Sequence, residues 1–220
     1  MSQPSTTLRP SKSSTRVVWT LTLFLVAIGL TVAVRRTFVL LSPPAHPRFA
    51  AGAALDAGFA AQRSLTLLHI LPAALFIVLM PLQFVSRIRA RHLGWHRWSG
   101  RLLIPLGFIV GTSALAMTYT TPIGGANEIA AMTLFATLFL IFLTMGFWNI
   151  RQRRIARHRE WMIRAFGVAL GIATTRPIVA VFFAAGRLTP HEFFGIAFWL
   201  GFTLTLLGAE TWIHYSGSQS

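Results

Sequence analysis

Apolar runs of about twenty residues recur along the chain, with short polar stretches between them. These runs cover residues 17–34, 65–85, 102–119, 129–150, 162–185 and 193–214. A helix needs ~20 residues to cross the hydrocarbon of a bilayer, whereas a transmembrane strand needs only about ten residues of alternating polarity. No such alternation occurs in these runs. The pattern therefore predicts an all-α fold, a polytopic transmembrane bundle of about six helices.

The same pattern divides the chain into segments. The Ser/Thr/Pro-rich residues 1–16 predict a disordered cytoplasmic leader. Residues 17–34 predict an uncleaved anchor helix, because this run is longer than the 7–15 apolar residues of a signal peptide. Residues 35–64 predict a periplasmic loop, 65–214 a five-helix membrane core and 215–220 a short tail.

Two connections between the apolar runs hold most of the positive charge. One contains Arg87, Arg89, Arg91, Arg97 and Arg101, and the other contains Arg151, Arg153, Arg154, Arg157, Arg159 and Arg164. Lys and Arg are enriched on the cytoplasmic side of membrane proteins. We therefore expect both clusters and both chain termini in the cytoplasm, in a multi-pass protein of the bacterial inner membrane. The four basic residues of 35–64 oppose this orientation but are outnumbered.

The composition agrees with a membrane protein and changes the reading of the net charge. The chain is 54% hydrophobic and 11% charged, whereas soluble domains carry about 25% charged residues. A net charge of +15 is compatible with nucleic-acid binding, but here the basic residues flank apolar spans instead of forming a basic face with interleaved aromatics. The expected partners are the bilayer and its anionic headgroups, not nucleic acid. The absence of cysteine excludes disulfides and thiolate chemistry.

Polar residues in or beside the spans are the candidate functional residues. Their depth, at ~1.5 Å per helical residue, separates an outer group from an inner group. The outer group is His69, Arg176 and Glu192. The inner group is Gln83, His92, His96, Arg97, Arg101, His158, Arg159, Arg164 and Glu210. We expect the inner group to form a His/Arg/Glu cluster at the inner rim, which favours a small lipid-facing or accessory membrane protein that holds anionic headgroups.

Arg176 is the strongest individual signal among these residues. A guanidinium inside a span is costly unless it is paired or hydrated, so Arg176 is expected to face the bundle interior or a cavity. One interpretation is a contact with an anion or substrate, as in a small transporter-like module. The other is a buried ion pair, or a plug on carbonyls freed by Pro177. The second is favoured, because ion pairs inside bundles need no ligand.

His96 and His158 raise the alternative of a b-type haem or quinone-linked redox protein. Haem held by two imidazoles needs histidines at equal depth on facing helices, and both residues lie at the inner rim. Gly100, Gly107 and Gly111 align on one helix, in a groove that admits a flat macrocycle or, more commonly, another helix. The outer side offers His69 without a second histidine inside a helix. We therefore predict no cofactor and no metal, with haem as the alternative.

Motifs of hydrolytic and phosphoryl-transfer enzymes do not occur in this chain. There is no Gly-x-Ser-x-Gly, no His-Glu-x-x-His and no Gly-rich phosphate loop. The sequence therefore does not indicate an enzyme and names no catalytic residue.

Several polar stretches together carry a family resemblance. They are Leu68-His69-Ile70, Pro81-Leu82-Gln83-Phe84, His96-Arg97-Trp98-Ser99-Gly100-Arg101, His158-Arg159-Glu160-Trp161-Met162-Ile163-Arg164, and the single residues Arg176, Glu192, Trp199 and Glu210. From His69 onwards the chain resembles an uncharacterised, mostly bacterial membrane-protein family catalogued as domain-of-unknown-function family 2306. The resemblance implies a polytopic membrane protein and no particular activity. The chain departs from the family after Trp199, where Leu200-Gly201-Phe202 stands in place of a Trp-Val-Pro-Asn-like stretch.

Overall fold

The fold is an all-α bundle, as the apolar pattern predicts. The computed structural model describes residues 11–42, 50–120 and 122–217, and these residues form eight helices and no strand. The helices are α1 (Lys12–Leu41), α2 (Ala50–Ala61), α3 (Arg63–Phe84), α4 (Ser86–Arg91), α5 (Leu93–Thr120), α6 (Gly125–Arg151), α7 (Ile155–Ala185) and α8 (Pro190–Gly217).

Six of these helices are long and apolar enough to cross a membrane, namely α1, α3, α5, α6, α7 and α8. The predicted multi-pass bundle is confirmed. We call the end that carries the α3–α5 and α6–α7 connections the arginine-rich end, and the end with the α5–α6 and α7–α8 connections the opposite end. Helices α5 and α7 begin well before their apolar runs at 102 and 162. They continue helical hydrogen bonding into the charged connections, where His96 N–H donates to the His92 carbonyl at 3.0 Å.

The first helix extends beyond the predicted anchor 17–34 at both ends. Ser11 caps it by accepting a hydrogen bond from the Ser14 backbone N–H at 3.0 Å, which is the usual device for starting a helix. Residues 12–16, expected to be disordered, are therefore helical. The other leader residues, 1–10, lie outside the described part of the chain.

The predicted loop 35–64 also contains helical structure. It includes the end of α1 and all of α2, while residues 43–49 lie outside the description. Arg35 pairs with Asp56 of α2 at 2.9 Å, and Arg36 binds the same carboxylate. The Arg36 guanidinium also lies 4.1 Å from the ring centre of Phe59. These contacts hold α2 against the end of α1. The tail also begins later than predicted, since α8 runs to Gly217 and only 218–220 lie outside the description.

Helices α7 and α8 pack closely through glycines. A Cβ on Gly171 would lie 2.3 Å from Cδ1 of Phe202, and one on Gly167 would lie 2.7 Å from the Ala209 Cβ. Small residues allow helix backbones to approach in a membrane. The Gly167-x-x-x-Gly171 pair therefore forms the close contact between α7 and α8.

The glycine groove of α5 is filled by α6. A Cβ on Gly107 would lie 2.5 Å from Leu143 Cδ1, and one on Gly111 would lie 2.5 Å from Leu140 Cδ2. The sequence left two occupants open for this groove, a flat macrocycle or another helix. In this structure, helix α6 fills the space beside these two glycines.

We expect Gly171→Ala to destabilise the bundle and Gly208→Ala to be neutral or slightly stabilising. The first methyl group collides with Phe202, and overpacking costs about 1–3 kcal/mol. Nothing lies within 4 Å of a Cβ on Gly208, and alanine has the better helix propensity. Thermal unfolding in detergent, followed by circular dichroism, measures both. Equal melting temperatures for the two variants would contradict this account of the α7–α8 interface.

Candidate functional site

A cavity of about 210 Å³ lies inside the bundle, toward the opposite end. Its volume is more than ten times the ~10–15 Å³ that one water molecule requires. Much of its wall is apolar and includes Ala33, Ile70, Phe76, Met132, Ile172 and Phe198. The polar side chains on the wall are Arg36, Thr66, His69, Thr118, Glu128 and Arg176. An apolar pocket with a few converging polar groups is the usual form of a small-molecule site.

Arg176 contributes an uncompensated charge to this cavity. Its Nε atom is buried without a hydrogen-bond partner. The three ion pairs found in the described residues involve Arg35, Arg36 and Arg164, and none involves Arg176. Helix α7 is continuous through Pro177, and the described part of the chain gives the guanidinium no carbonyl acceptor. The favoured prediction of a buried ion pair or a carbonyl plug is therefore wrong for the described residues.

Glu128 carries a negative charge near Arg176, but its carboxylate stabilises the turn before α6. The side chain is 9% exposed, and its Oε2 accepts hydrogen bonds from the backbone N–H groups of Ile123, at 2.7 Å, and Gly124. Gly125 follows with φ +60°, a conformation that favours glycine. Glu128 attracts Arg176 through space without forming an ion pair with it. Its position at the start of a span was a signal that the sequence analysis missed.

Two other arginines lie close enough to Arg176 to act on its charge. Arg36 and Arg35 repel its charge more strongly than Glu128 attracts it. Arg36 itself lines the cavity, whereas the sequence analysis placed it in a loop. The sequence signal for Arg36 is the Arg35-Arg36 pair directly after an apolar run, followed by an isolated aspartate, Asp56.

His69 lies on the same cavity as Arg176, so two of the three predicted outer residues come together there. Its Nδ1 atom is 3.0 Å from Ser113 Oγ and 3.2 Å from the Val110 carbonyl oxygen, which fixes the ring against α5. The sequence alone placed His69 in the same outer group as Arg176 but did not identify its neighbours.

Glu192, the third outer residue, is not part of the cavity lining. Its Oε2 accepts hydrogen bonds from the backbone N–H of Thr189 at 2.7 Å and from the Thr189 hydroxyl at 2.8 Å. A carboxylate that accepts from the backbone N–H of the residue before the helix forms one half of a capping box. Glu192 therefore holds the start of α8.

At the arginine-rich end, two predicted residues form a direct ion pair between α7 and α8. Arg164 donates to both carboxylate oxygens of Glu210, at 2.6 and 2.9 Å. Its guanidinium also lies 4.7 Å from the ring centre of Trp161. Arg159 donates to Ser216 Oγ at 3.2 Å. These contacts join two neighbouring helices. The polar groups that make them have partners within the protein and need no ligand.

The other inner residues make separate contacts instead of one network. Gln83 donates to Ser99 Oγ at 2.8 Å, and His158 Nδ1 lies 2.8 Å from the Gly146 carbonyl oxygen. His96 Nδ1 is buried without a partner, while Arg97 and Arg101 are exposed. No set of three or more His, Asp or Glu side chains in the described ranges is placed to hold a metal ion.

The fold and the cavity together define a polytopic membrane protein with an internal, partly charged pocket. The chain belongs to the family described as "Predicted membrane protein (DUF2306)", whose model matches residues 66–213. The expected family resemblance is thereby confirmed. No curated protein and no solved structure matches the chain. The matched residues include His69, Glu128 and Arg176, whereas α1 and α2 precede them.

We expect Arg176→Met to leave the thermal stability of the bundle unchanged or slightly raised. The substitution removes a charge that has no ion-pair partner to leave behind. Glu128→Ala should instead lower the free energy of unfolding by about 1–3 kcal/mol, because two backbone N–H groups lose their acceptor. Glu128→Gln keeps an acceptor oxygen and is the matched control. Melting in detergent measures all three. A loss for Arg176→Met as large as that for Glu128→Ala would reveal a structural partner.

Proposed function

We propose that the protein binds a small amphipathic anion in its membrane-embedded cavity, with the anionic head on Arg176 and the apolar body against the surrounding walls. The observation that carries the proposal is the Arg176 guanidinium, which lines the cavity with a buried Nε and no hydrogen bond or ion pair in the described residues.

The energetic cost of this arrangement favours a ligand. A charged side chain inside a membrane span is unfavourable by several kcal/mol, and such residues usually mark substrate or ion pathways. Leaving a buried charge without its partner is strongly destabilising. A bound carboxylate or similar anion would supply the missing charge and accept hydrogen bonds from the planar guanidinium.

The sign of the ligand charge follows from the neighbours of Arg176. The cavity wall carries two guanidinium groups, those of Arg36 and Arg176, and one carboxylate, that of Glu128, which is engaged by two backbone N–H groups. A cation would therefore meet net repulsion from the wall. The many apolar wall residues, among them Phe76, Phe139 and Phe198, favour an apolar body attached to the anionic head.

We further propose that the host membrane is the bacterial inner membrane, with the arginine-rich end in the cytoplasm and the cavity nearer the periplasm. Support comes from the basic clusters, which follow the usual enrichment of Lys and Arg on the cytoplasmic side. Arg87, Arg89, Arg91, Arg97 and Arg101 are exposed at this end. Each exposed basic residue contributes about 1 kcal/mol of attraction to anionic headgroups, so this end is also the proposed contact with anionic lipid.

The proposed binding predicts a preference for octanoate over the neutral octanamide. We expect the purified protein in detergent to bind octanoate roughly 10- to 100-fold more tightly, because a hydrogen bond to a charged group contributes about 1.5–3 kcal/mol. Isothermal titration calorimetry measures both affinities. Arg176→Met should abolish the preference and Arg176→Lys should retain part of it.

Arg187→Met is the matched control for this experiment, because Arg187 is an exposed arginine just after the same helix. It should bind octanoate as the unmodified protein does. Equal affinities of the unmodified protein for octanoate and octanamide would contradict the anion site.

The proposed orientation predicts the outcome of reporter fusions. Fusions after Ile150 and after Ser220 should be cytoplasmic, whereas a fusion near Gly124 should be periplasmic, since α6 crosses the bundle between Gly125 and Arg151. Alkaline phosphatase and green fluorescent protein activities report the two compartments. A cytoplasmic reporter near Gly124 would place the cavity on the cytoplasmic side and reverse the assignment.

A further inference from the structure

The hydrogen bonds of His69 determine which of its ring nitrogens carries the proton. Nδ1 lies 3.2 Å from the Val110 carbonyl oxygen and 3.0 Å from Ser113 Oγ. A carbonyl oxygen only accepts, and the single hydroxyl hydrogen of Ser113 is directed to backbone carbonyls, the nearer being Ile109 at 2.5 Å. Both neighbours therefore accept from His69, so Nδ1 carries the hydrogen.

The other ring nitrogen, Nε2, is then an acceptor in the neutral imidazole. The described residues provide no hydrogen-bond partner for Nε2, and the ring lines the cavity. A second proton on the ring is disfavoured because the guanidinium groups of Arg36 and Arg176 line the same cavity. His69 thus presents an unused acceptor to the cavity.

The two threonines of the cavity wall do not provide a hydrogen-bond donor for this acceptor. Thr66 donates its hydroxyl hydrogen to the Phe59 carbonyl at 3.0 Å, and Thr118 donates its own to Ala114 at 2.8 Å. Neither threonine therefore supplies a donor to His69. The Arg36 and Arg176 guanidinium groups also line the cavity, but neither donates to Nε2 in the described residues, so this acceptor is available to whatever occupies the cavity.

We infer that the cavity selects an amphipathic acid that carries a hydroxyl group, with the carboxylate on Arg176 and the hydroxyl donating to Nε2 of His69. This inference rests on the proposed anion site and specifies the chemical class of its ligand. A site built to bond a hydroxyl binds the analogue that lacks it less tightly, because the acceptor inside the occupied cavity is then left without a donor. His69 is accordingly a specificity-determining residue.

The test compares matched acids that differ by one hydroxyl group. The probes are ω-hydroxyoctanoate against octanoate, and para-hydroxybenzoate against benzoate, titrated calorimetrically into the full-length protein in detergent. We expect the hydroxylated member of at least one pair to bind about 3- to 10-fold more tightly, the range that one neutral hydrogen bond provides.

Variants of His69 connect that preference to the ring nitrogen. His69→Phe should remove the preference while keeping the affinity for the acid without the hydroxyl. His69→Gln should restore part of the preference, because an amide oxygen reaches a position similar to that of Nε2. His214→Phe, at an exposed histidine near the end of α8, should bind as the unmodified protein does.

The outcomes separate the two proposals. If no acid of either pair binds in an Arg176-dependent way, the proposed anion site fails and this inference fails with it. If acids bind in an Arg176-dependent way but neither pair shows a hydroxyl preference, only the hydroxyl selection is overturned. A preference that persists in His69→Phe also overturns it. If His69→Phe does not fold, the unmodified protein and His69→Gln decide by the same comparison.

Discussion

The structure depends on one constraint, that hydrocarbon offers no hydrogen-bond partner to a polar group. The backbone of each span is therefore helical, and polar side chains along the spans bond to their own helix or to a neighbouring one. Thr118 donates to the Ala114 carbonyl at 2.8 Å, and Asn149 donates to that of Met145 at 2.7 Å. Arg176 departs from this rule, because its buried Nε has no partner among the residues that the structure describes. Against such a background, one unsatisfied charge is a strong indication of a ligand.

Helix packing explains why a cavity exists at this position. Where glycines face a neighbour, as at Gly167 and Gly171, the helices approach closely and leave no space. Toward the opposite end, the wall is completed by α1 and α2, which supply Arg36 and Phe59. These two helices precede the residues that match the family. The family-matched core thus provides Arg176 and His69, while the preceding segment adds a second guanidinium to the same cavity.

The two ends of the bundle differ in how their charges are satisfied. At the arginine-rich end, Arg164 and Glu210 neutralise each other across α7 and α8, so these residues act in holding the bundle together. At the opposite end, Asp56 compensates Arg35 and Arg36, but Arg176 forms no ion pair in the described residues. The candidate binding site therefore lies in the outer group of polar residues, and not in the inner group that has more of them.

The sequence by itself determined the helical class and the six apolar spans. These properties depend on local hydropathy and on the fixed rise of a helix. It also identified Arg176 and His69 as outer residues. Only the tertiary structure decided that Glu210 pairs with Arg164, that Glu192 caps a helix and that Arg176 has no ion-pair partner within the described ranges. Arg36 and Glu128 also line the cavity, although the sequence analysis did not name them as candidate residues. Side-chain partners depend on which helix faces meet, and hydropathy contains no information about helix rotation.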